Sequence, residues 1–324
     1  MDAAKVPGLA LVVLRRGGAD TFVSGLRNQE TRAPVTSETV FQAASLSKPL
    51  VAHAALQLAE EGILDLDEPL APLAGRLVPG DELSAAITAR HVLAHETGLP
   101  NWRSSTVPLR SHFPPGARFS YSGEGFVYLQ RALERLAGEP LDVLVKRLVL
   151  DPLGMHGSSF VWRADFPATI ADAHAETGKV LPRFIPRTAN AACSLLTTAV
   201  DYGRFLAACL DGSLLGREMT GLWMTPRHHP PARRIEALAQ DDSECATGVA
   251  WGLGWGLEPE AGTFFHWGSN IGAKAFALGN PARREAFVLF ANGERGLDIV
   301  PDIVDIVMPG DHPALAWLGL ARQS

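Results

Sequence analysis

The chain has 324 residues, of which 47% are hydrophobic and 20% are charged, and its formal net charge at pH 7 is −6. This composition excludes a disordered tail, a collagen and a small disulfide scaffold, because the chain can bury a large core. The sequence contains no Lys/Arg block, so it offers nucleic acid no electrostatic footprint, and a small or uncharged partner is favoured. By length the chain holds one large domain or two intermixed ones.

Neither the cysteines nor the apolar runs indicate a special environment. Cys193, Cys209 and Cys245 stand at unrelated spacings, so we expect three buried small side chains rather than disulfides or a metal cluster. The longest early apolar run, 9–14, is far too short to cross a bilayer, and no membrane segment is predicted. The first residues lack the pattern of a secretory signal. We expect a cytoplasmic location for the chain as written, or a periplasmic or secreted one if a signal was removed.

The predicted elements begin with a β-hairpin made of the extended runs 9–14 and 21–26. A helix is predicted over 45–61, where apolar residues recur at helical spacing and Gly62 follows as a stop. Further helical patterns separated by Pro/Gly loops cover 125–137, 141–150 and 198–210. The last part of the chain is predicted to form short strands and a final helix, over 249–257, 263–267, 273–278, 285–291 and 297–307.

Strands at both chain ends with helices between them predict an α+β fold. We expect an antiparallel sheet built from both ends and flanked by helices, with a mainly helical second lobe. The predicted boundaries place 1–70 and 241–324 in the sheet-containing lobe and 71–240 in the helical lobe. The active site is expected in the cleft between the two lobes.

Ser45 and Lys48 form a Ser-x-x-Lys motif at the start of the first predicted helix. Residues three apart share one face of a helix, so the lysine amine can reach the serine hydroxyl and act as its base. The backbone N–H of a serine at a helix N-terminus also stabilises negative charge. Taken alone, however, Ser45 also suits a plain helix N-cap.

Two later segments add to this motif. Tyr121, one of only three tyrosines, lies in a Ser/Gly turn just before a predicted helix. His266, Trp267 and Gly268 lie on a predicted strand near the end of the chain. The ordered set of motifs resembles the serine β-lactamase and D,D-peptidase superfamily, specifically the branch that holds class C β-lactamases, D-stereospecific peptidases and related esterases.

The resemblance extends over almost the whole chain. Segments that look like family landmarks are 6–8, 62–70, 92–100, 151–155 and 194–201. His91 and His95 are four residues apart, a spacing that superficially suggests a zinc site. Because the landmark at 92–100 covers this segment, a structural role for the two histidines is favoured over zinc binding. The resemblance implies no metal and no organic cofactor.

The resemblance also implies roles for matching residues. Ser45 would be the nucleophile, Lys48 and Tyr121 the proton-handling pair, and the backbone N–H groups of Ser45 and Ser269 the oxyanion hole. We further expect a nearby lysine ammonium to favour the phenolate of Tyr121, which would make the tyrosine a usable base.

Substrate binding is implied for His266, Trp267 and Gly268 on the cleft strand and for Gly123. Two of these positions depart from the class C pattern: Gly123 stands where Asn is expected, and His266 stands where β-lactamases have Lys. At residue 123 the amide that would bridge the lysine and the substrate carbonyl is absent, and at residue 266 a fixed positive charge is replaced by a histidine that is mostly neutral at pH 7. Both changes weaken recognition of a β-lactam carboxylate. We expect β-lactam turnover to improve below pH 6.5, insofar as His266 becomes charged.

Together these features predict a serine hydrolase that forms an acyl-enzyme on esters or amides, esterase-like or D-peptidase-like. The expected partner is a small-molecule ester, amide or β-lactam. The alternatives are a true β-lactamase or D,D-peptidase, an acyltransferase, and a catalytically silent ligand-binding relative. The natural substrate and the oligomeric state stay open.

Overall fold

The computed structural model describes residues 5–232, 234–239 and 244–321. Within these residues, eight strands form one sheet in which every pair of neighbours is antiparallel, in the order β3-β2-β1-β10-β9-β8-β7-β6. Two further strands, β4 and β5, form a separate antiparallel ladder. The strands are β1 (Gly8–Arg15), β2 (Gly18–Asn28), β3 (Ala33–Pro34), β4 (Val40–Gln42), β5 (Leu196–Thr198), β6 (Ala250–Trp251), β7 (Gly256–Glu258), β8 (Thr263–Asn270), β9 (Ala273–Asn280) and β10 (Glu285–Ala291).

Helices occupy the middle of the chain and its last part. Those in the described residues are α1 (Ser47–Glu60), α2 (Ala71–Ala74), α3 (Glu82–Ala85), α4 (Ala89–Leu93), α5 (Gly123–Ala137), α6 (Leu141–Val145), α7 (Ala199–Asp211), α8 (Arg217–Trp223), α9 (Val300–Val307) and α10 (Pro313–Trp317). Short 3₁₀ turns lie at Ala44–Leu46 and Phe166–Ala168, and a π turn at Lys146–Leu150 continues α6.

The two ends of the chain meet where β1 pairs with β10, for example Leu11 with Leu289. Alternate residues of a strand point to opposite faces of a sheet. Val12 therefore belongs to the core that contains α1 and α7, whereas Val13 belongs to the core that contains α9 and α10. A sheet built from both chain ends with helices on both faces confirms the predicted α+β fold. The residue boundaries proposed for the two lobes stay a prediction.

The ladder between β4 and β5 brings distant segments together beside α1. Val40 pairs with Thr198 and Gln42 with Leu196, and the Ala43 N–H donates to the carbonyl of Leu195 at 2.9 Å. This pairing carries residues 192–195 next to the turn that contains Ser45.

Two expectations about local structure need correction. The run 249–257 is two strands, β6 and β7, because residues 252–255 turn beneath α1. A Cβ on Gly254 would lie 2.4 Å from that of Ala52, and the φ of Gly254 is +91°, which glycine adopts without strain. The helix expected over 141–150 changes to a π turn at residue 146.

The cysteines also differ from expectation. Cys209 is buried as predicted, but Cys193 is only partly buried and Cys245 is exposed. The residue type alone favoured burial for all three, whereas the position of each in the folded chain decides it.

Candidate active site

Ser45 is the only residue from 40 to 56 that is not buried. It lies in the 3₁₀ turn before α1, where Ala44 has a φ of +49°, a left-handed conformation that is costly for a residue with a Cβ. Ser47 holds this turn, because its hydroxyl donates to the carbonyl of Ala44 at 2.6 Å and accepts from the N–H of Leu195 at 2.9 Å. The strained and anchored backbone thus presents one hydroxyl to solvent.

Lys48 is fully buried directly behind Ser45. Its Nζ lies 3.0 Å from Ser45 Oγ and donates to the carbonyl of Ala192 at 2.9 Å. Burial lowers the pKa of Lys48 from 10.5 to about 7, since a charged ammonium is poorly solvated there. A large share of this lysine is therefore a neutral amine at pH 7 and is able to accept a proton from the serine.

Tyr121 lies on the other side of the lysine, with Lys48 Nζ 4.9 Å from the centroid of its ring. The backbone N–H of Tyr121 donates to the carbonyl of Ile235 at 2.9 Å. Burial raises the pKa of Tyr121 far above its ordinary value, and an interaction with the Ser45 hydroxyl offsets this only in part. The expectation that Lys48 makes this tyrosine a phenolate base is therefore wrong. Burial outweighs the neighbouring charge, and the phenol keeps its proton.

His266 is fully buried on β8, and its ring centroid is 6.1 Å from that of Tyr121. Its Nδ1 lies 2.8 Å from the carbonyl oxygen of Trp267 and donates to it, so Nε2 carries no proton in the neutral ring and has no partner among the described residues. Burial, with a smaller effect of the Lys48 charge, lowers the pKa of His266 to about 3. The expectation that His266 becomes charged below pH 6.5 is therefore wrong.

The second half of β8 borders Ser45. A Cβ on Gly268 would lie 2.3 Å from the carbonyl oxygen of Ala43, so only glycine allows this close approach. Trp267 is buried and stacks on His266, whereas Ser269 is exposed. In the described part of the chain β7 pairs with β8 only over 263–265, which leaves the other side of 266–270 outside that ladder. The backbone at Ser269 therefore lies close to the turn that contains Ser45.

Gly123 begins α5 beside the tyrosine. Its N–H donates to both the backbone carbonyl and the side-chain oxygen of Asn101, each at 3.0 Å. A Cβ on Gly123 would lie 2.9 Å from the Asn101 carbonyl oxygen and 3.0 Å from the ring of Trp102, which is half-exposed. The space that an asparagine side chain would take at residue 123 is thus filled by residues 101 and 102. Sequence reasoning had noted the glycine but not this replacement.

Sequence reasoning also missed two neighbours of the site. Cys193 lies close enough to Lys48 for each to affect the pKa of the other, although it is 145 residues away in sequence. His95 stacks on the ring of Tyr121, with centroids 4.2 Å apart. Of these two residues, His95 could have been found from the sequence, because it lies inside the family landmark at 92–100.

A search of the described residues for three or more His, Cys, Asp or Glu side chains placed to bind one metal ion finds no such group. The same residues contain no helix with the length and apolar character that spanning a membrane requires.

The sequence is similar to those of a known penicillin-binding protein and a known esterase. Penicillin-binding protein 4 of Amycolatopsis lactamdurans is 26% identical over 312 residues, which cover 89% of this chain and 81% of that protein. Esterase EstB of Burkholderia gladioli is 31% identical over 188 residues, which cover 47% of each protein.

The fold is also similar to solved structures. The octameric penicillin-binding protein homologue from Pyrococcus abyssi superposes with a TM-score of 0.78 at 23% identity, over 97% of this chain and 76% of that one. The beta-lactamase family profile matches residues 1–303, almost the entire chain. The chain therefore belongs to the beta-lactamase family and is a serine hydrolase.

Proposed function

We propose that the protein hydrolyses esters of small, uncharged acyl groups through an acyl-enzyme on Ser45. The observation that carries this proposal is the 3.0 Å contact between Lys48 Nζ and Ser45 Oγ in a site where the pKa of Lys48 is about 7. A base with a pKa near the working pH combines the correct protonation state with adequate basicity. The serine hydroxyl can therefore be activated without any further group.

Acylation begins when Ser45 Oγ bonds to the carbonyl carbon and its proton moves to the neutral amine of Lys48. The N–H groups of Ser45 and Ser269 stabilise the oxyanion that forms. Tyr121, whose phenol is protonated, donates its proton to the leaving oxygen as the C–O bond breaks. The ammonium of Lys48 then returns a proton to the phenolate, which leaves an acyl-Ser45 ester and a free alcohol.

In deacylation water takes the place of the serine hydroxyl as the nucleophile, and Lys48 is again the base. The water oxygen bonds to the acyl carbonyl carbon and its proton moves to Lys48. The bond to Ser45 Oγ breaks, the ammonium of Lys48 returns its proton to Oγ, and the acid is released. Lys48 thus serves as the base in both halves of the cycle.

The charge of the cleft strand supports an uncharged substrate. His266 is neutral at every pH well above 3. Strand β8 therefore carries no cation at residue 266, where β-lactamases have a lysine. A missing charge-assisted hydrogen bond forfeits about 1.5 to 3 kcal/mol, or roughly tenfold to a hundredfold in binding a carboxylate. An activated ester needs only the nucleophile and the oxyanion hole.

A D-peptidase-like activity is the second candidate. The part of β8 at 266–270 lies outside the ladder with β7 and borders Ser45, so a peptide backbone could align along it by strand addition. This candidate uses the same nucleophile and differs only in the acyl donor.

The test combines covalent labelling with a turnover panel. An activated acyl donor, such as a nitrophenyl ester, should add one acyl group to the wild-type protein, located by mass spectrometry on the peptide that contains Ser45. Turnover of short nitrophenyl esters, nitrocefin and D-alanyl peptides is then compared as kcat/KM. We expect the esters to give the highest values.

The matched control is Ser213→Ala, at an exposed turn after α7. It should keep both label and turnover, whereas Ser45→Ala should lose both. Absence of both label and turnover for the wild-type protein would indicate a silent relative. Transfer of the acyl group to added alcohol faster than to water would indicate an acyltransferase, and nitrocefin as the best substrate would overturn the ester preference.

A further inference from the structure

His95 contacts the tyrosine segment at three consecutive residues. Its backbone carbonyl accepts the N–H of Ser120 at 2.8 Å, and its ring Nδ1 accepts the N–H of Ser122 at 3.0 Å. Between these two hydrogen bonds its ring stacks on the ring of Tyr121, with centroids 4.2 Å apart and an angle of 29° between the planes. One residue therefore fixes the backbone on both sides of Tyr121 and the plane of its side chain.

The backbone of His95 is held in a costly conformation to make these contacts. Its φ is +56°, directly after the end of α4, in the left-handed region where glycine is the usual residue. A residue with a Cβ in this region costs roughly 1 to 2 kcal/mol. A glycine would remove this strain but would also remove both ring contacts.

The ring of His95 does not serve as a second base. It is fully buried, and because Nδ1 accepts the Ser122 N–H, the proton of the neutral ring is on Nε2, which has no partner among the described residues. Burial and the nearby Lys48 charge lower the pKa of His95 well below 6.5. The ring thus stays neutral and acts by position.

We propose that His95 is a positioning residue that holds the phenol of Tyr121 in line with the leaving group. This inference rests on the proposed function, in which Tyr121 protonates the leaving oxygen. A misplaced phenol slows the departure of a poor leaving group, which needs a proton, much more than that of nitrophenolate, which leaves as a stable anion. A displacement of about 1 Å in such a site can reduce the rate about a hundredfold.

The experiment compares two esters of the same acid, one with a nitrophenyl and one with an alkyl leaving group. Both form the same acyl-enzyme, so the ratio of their kcat/KM values isolates the acylation step. In His95→Asn, an oxygen can still accept the Ser122 N–H and the residue tolerates the left-handed backbone, but the stacked ring is lost. In His95→Phe the ring is kept and the acceptor is lost.

We expect both variants to lower kcat/KM for the alkyl ester by about tenfold to a hundredfold and that for the nitrophenyl ester by less than about threefold. Adding either change to Tyr121→Phe should leave the ratio where Tyr121→Phe alone puts it. The matched control is His91→Asn. The ring of His91 accepts the N–H of Thr88 at the start of α4, away from Tyr121, so this variant should keep the wild-type ratio.

A ratio that stays at the wild-type value, whether kcat/KM falls equally for both esters or for neither, would overturn this role for His95. Failure of both variants to fold would assign His95 to the core and would overturn it as well. Labelling of Ser45 and ester turnover, both measured in the wild-type protein, keep this outcome distinct from a failure of the proposed function, in which the wild type would show neither.

Discussion

Replacing Lys48 with methionine should change how the stability of the protein depends on pH. The free energy of unfolding of Lys48→Met, measured relative to that of the wild type, should increase as the pH falls. The buried ammonium has a pKa of about 7 in the folded state, against 10.5 for a solvated lysine. At about 1.4 kcal/mol for each pKa unit, this difference corresponds to about 5 kcal/mol. Between these two values the unfolded chain binds a proton that the folded chain does not, so wild-type stability rises with pH across this window and is lowest below it.

The assay is urea unfolding of wild type and Lys48→Met at a series of pH values from roughly 7 to 10. Methionine has a similar length but leaves the Ala192 carbonyl without its donor, which costs about 1 to 3 kcal/mol at every pH. The informative quantity is therefore the change with pH of the difference in unfolding free energy. It should shift by about 3 to 4 kcal/mol in favour of the variant on going from pH 10 to pH 7.

The control is the same substitution at Lys179, an exposed residue, which removes an equal charge from the surface. A difference between wild type and Lys48→Met that stays constant across this pH range would refute the reasoning. It would mean that Lys48 is charged in the folded protein and that some other group activates Ser45.

Three further predictions follow from the same site. The kcat/KM of an ester should rise with pH through an apparent pKa near 7, because Lys48 must lose its proton to act; a pH-rate profile that is flat from pH 5 to 9 would contradict this. Any nitrocefin turnover should fall, not rise, between pH 7.5 and pH 5.5, since His266 stays neutral while Lys48 gains a proton. Gly123→Asn should lower stability by about 1 to 3 kcal/mol through the contact with Trp102, and Trp102→Ala should restore part of the loss; equal melting temperatures for wild type and Gly123→Asn would show that the loop yields freely.

Local patterns in the sequence were sufficient to predict that Ser45 and Lys48 lie close together. Ser45 lies in the 3₁₀ turn that leads into α1 and Lys48 in the first turn of α1, so the geometry of a single turn brings their side chains to 3.0 Å. The strands were predictable for the same reason, because their apolar runs bounded by Gly, Asn and Pro are local signals. Tyr121 required the order of motifs along the whole chain.

The electrostatic state of the site was not predictable from the sequence. Sequence reasoning gave Tyr121 a lowered pKa and His266 an ordinary one, and both were wrong because each pKa is set mainly by burial. That burial comes from segments far apart in the chain, among them Trp251, whose ring lies within about 6 Å of both residues. The position of Cys193 near Lys48 likewise depends on the long-range pairing of β4 with β5.

A charge at residue 266 on β8 would change how basic Lys48 is. The Lys48 charge lowers the pKa of His266, and by the same coupling a permanent charge at residue 266 would lower the pKa of Lys48. Arginine keeps its charge even when it is buried. His266→Arg should therefore shift the rising limb of the kcat/KM profile for an ester to a pH below 7, whereas the uncharged His266→Gln should leave it in place. The measurement is the pH-rate profile of both variants with one nitrophenyl ester. A limb that moves equally in both, or that moves upward in His266→Arg, would show that Lys48 and residue 266 are not electrostatically coupled and that burial alone sets the basicity of the lysine.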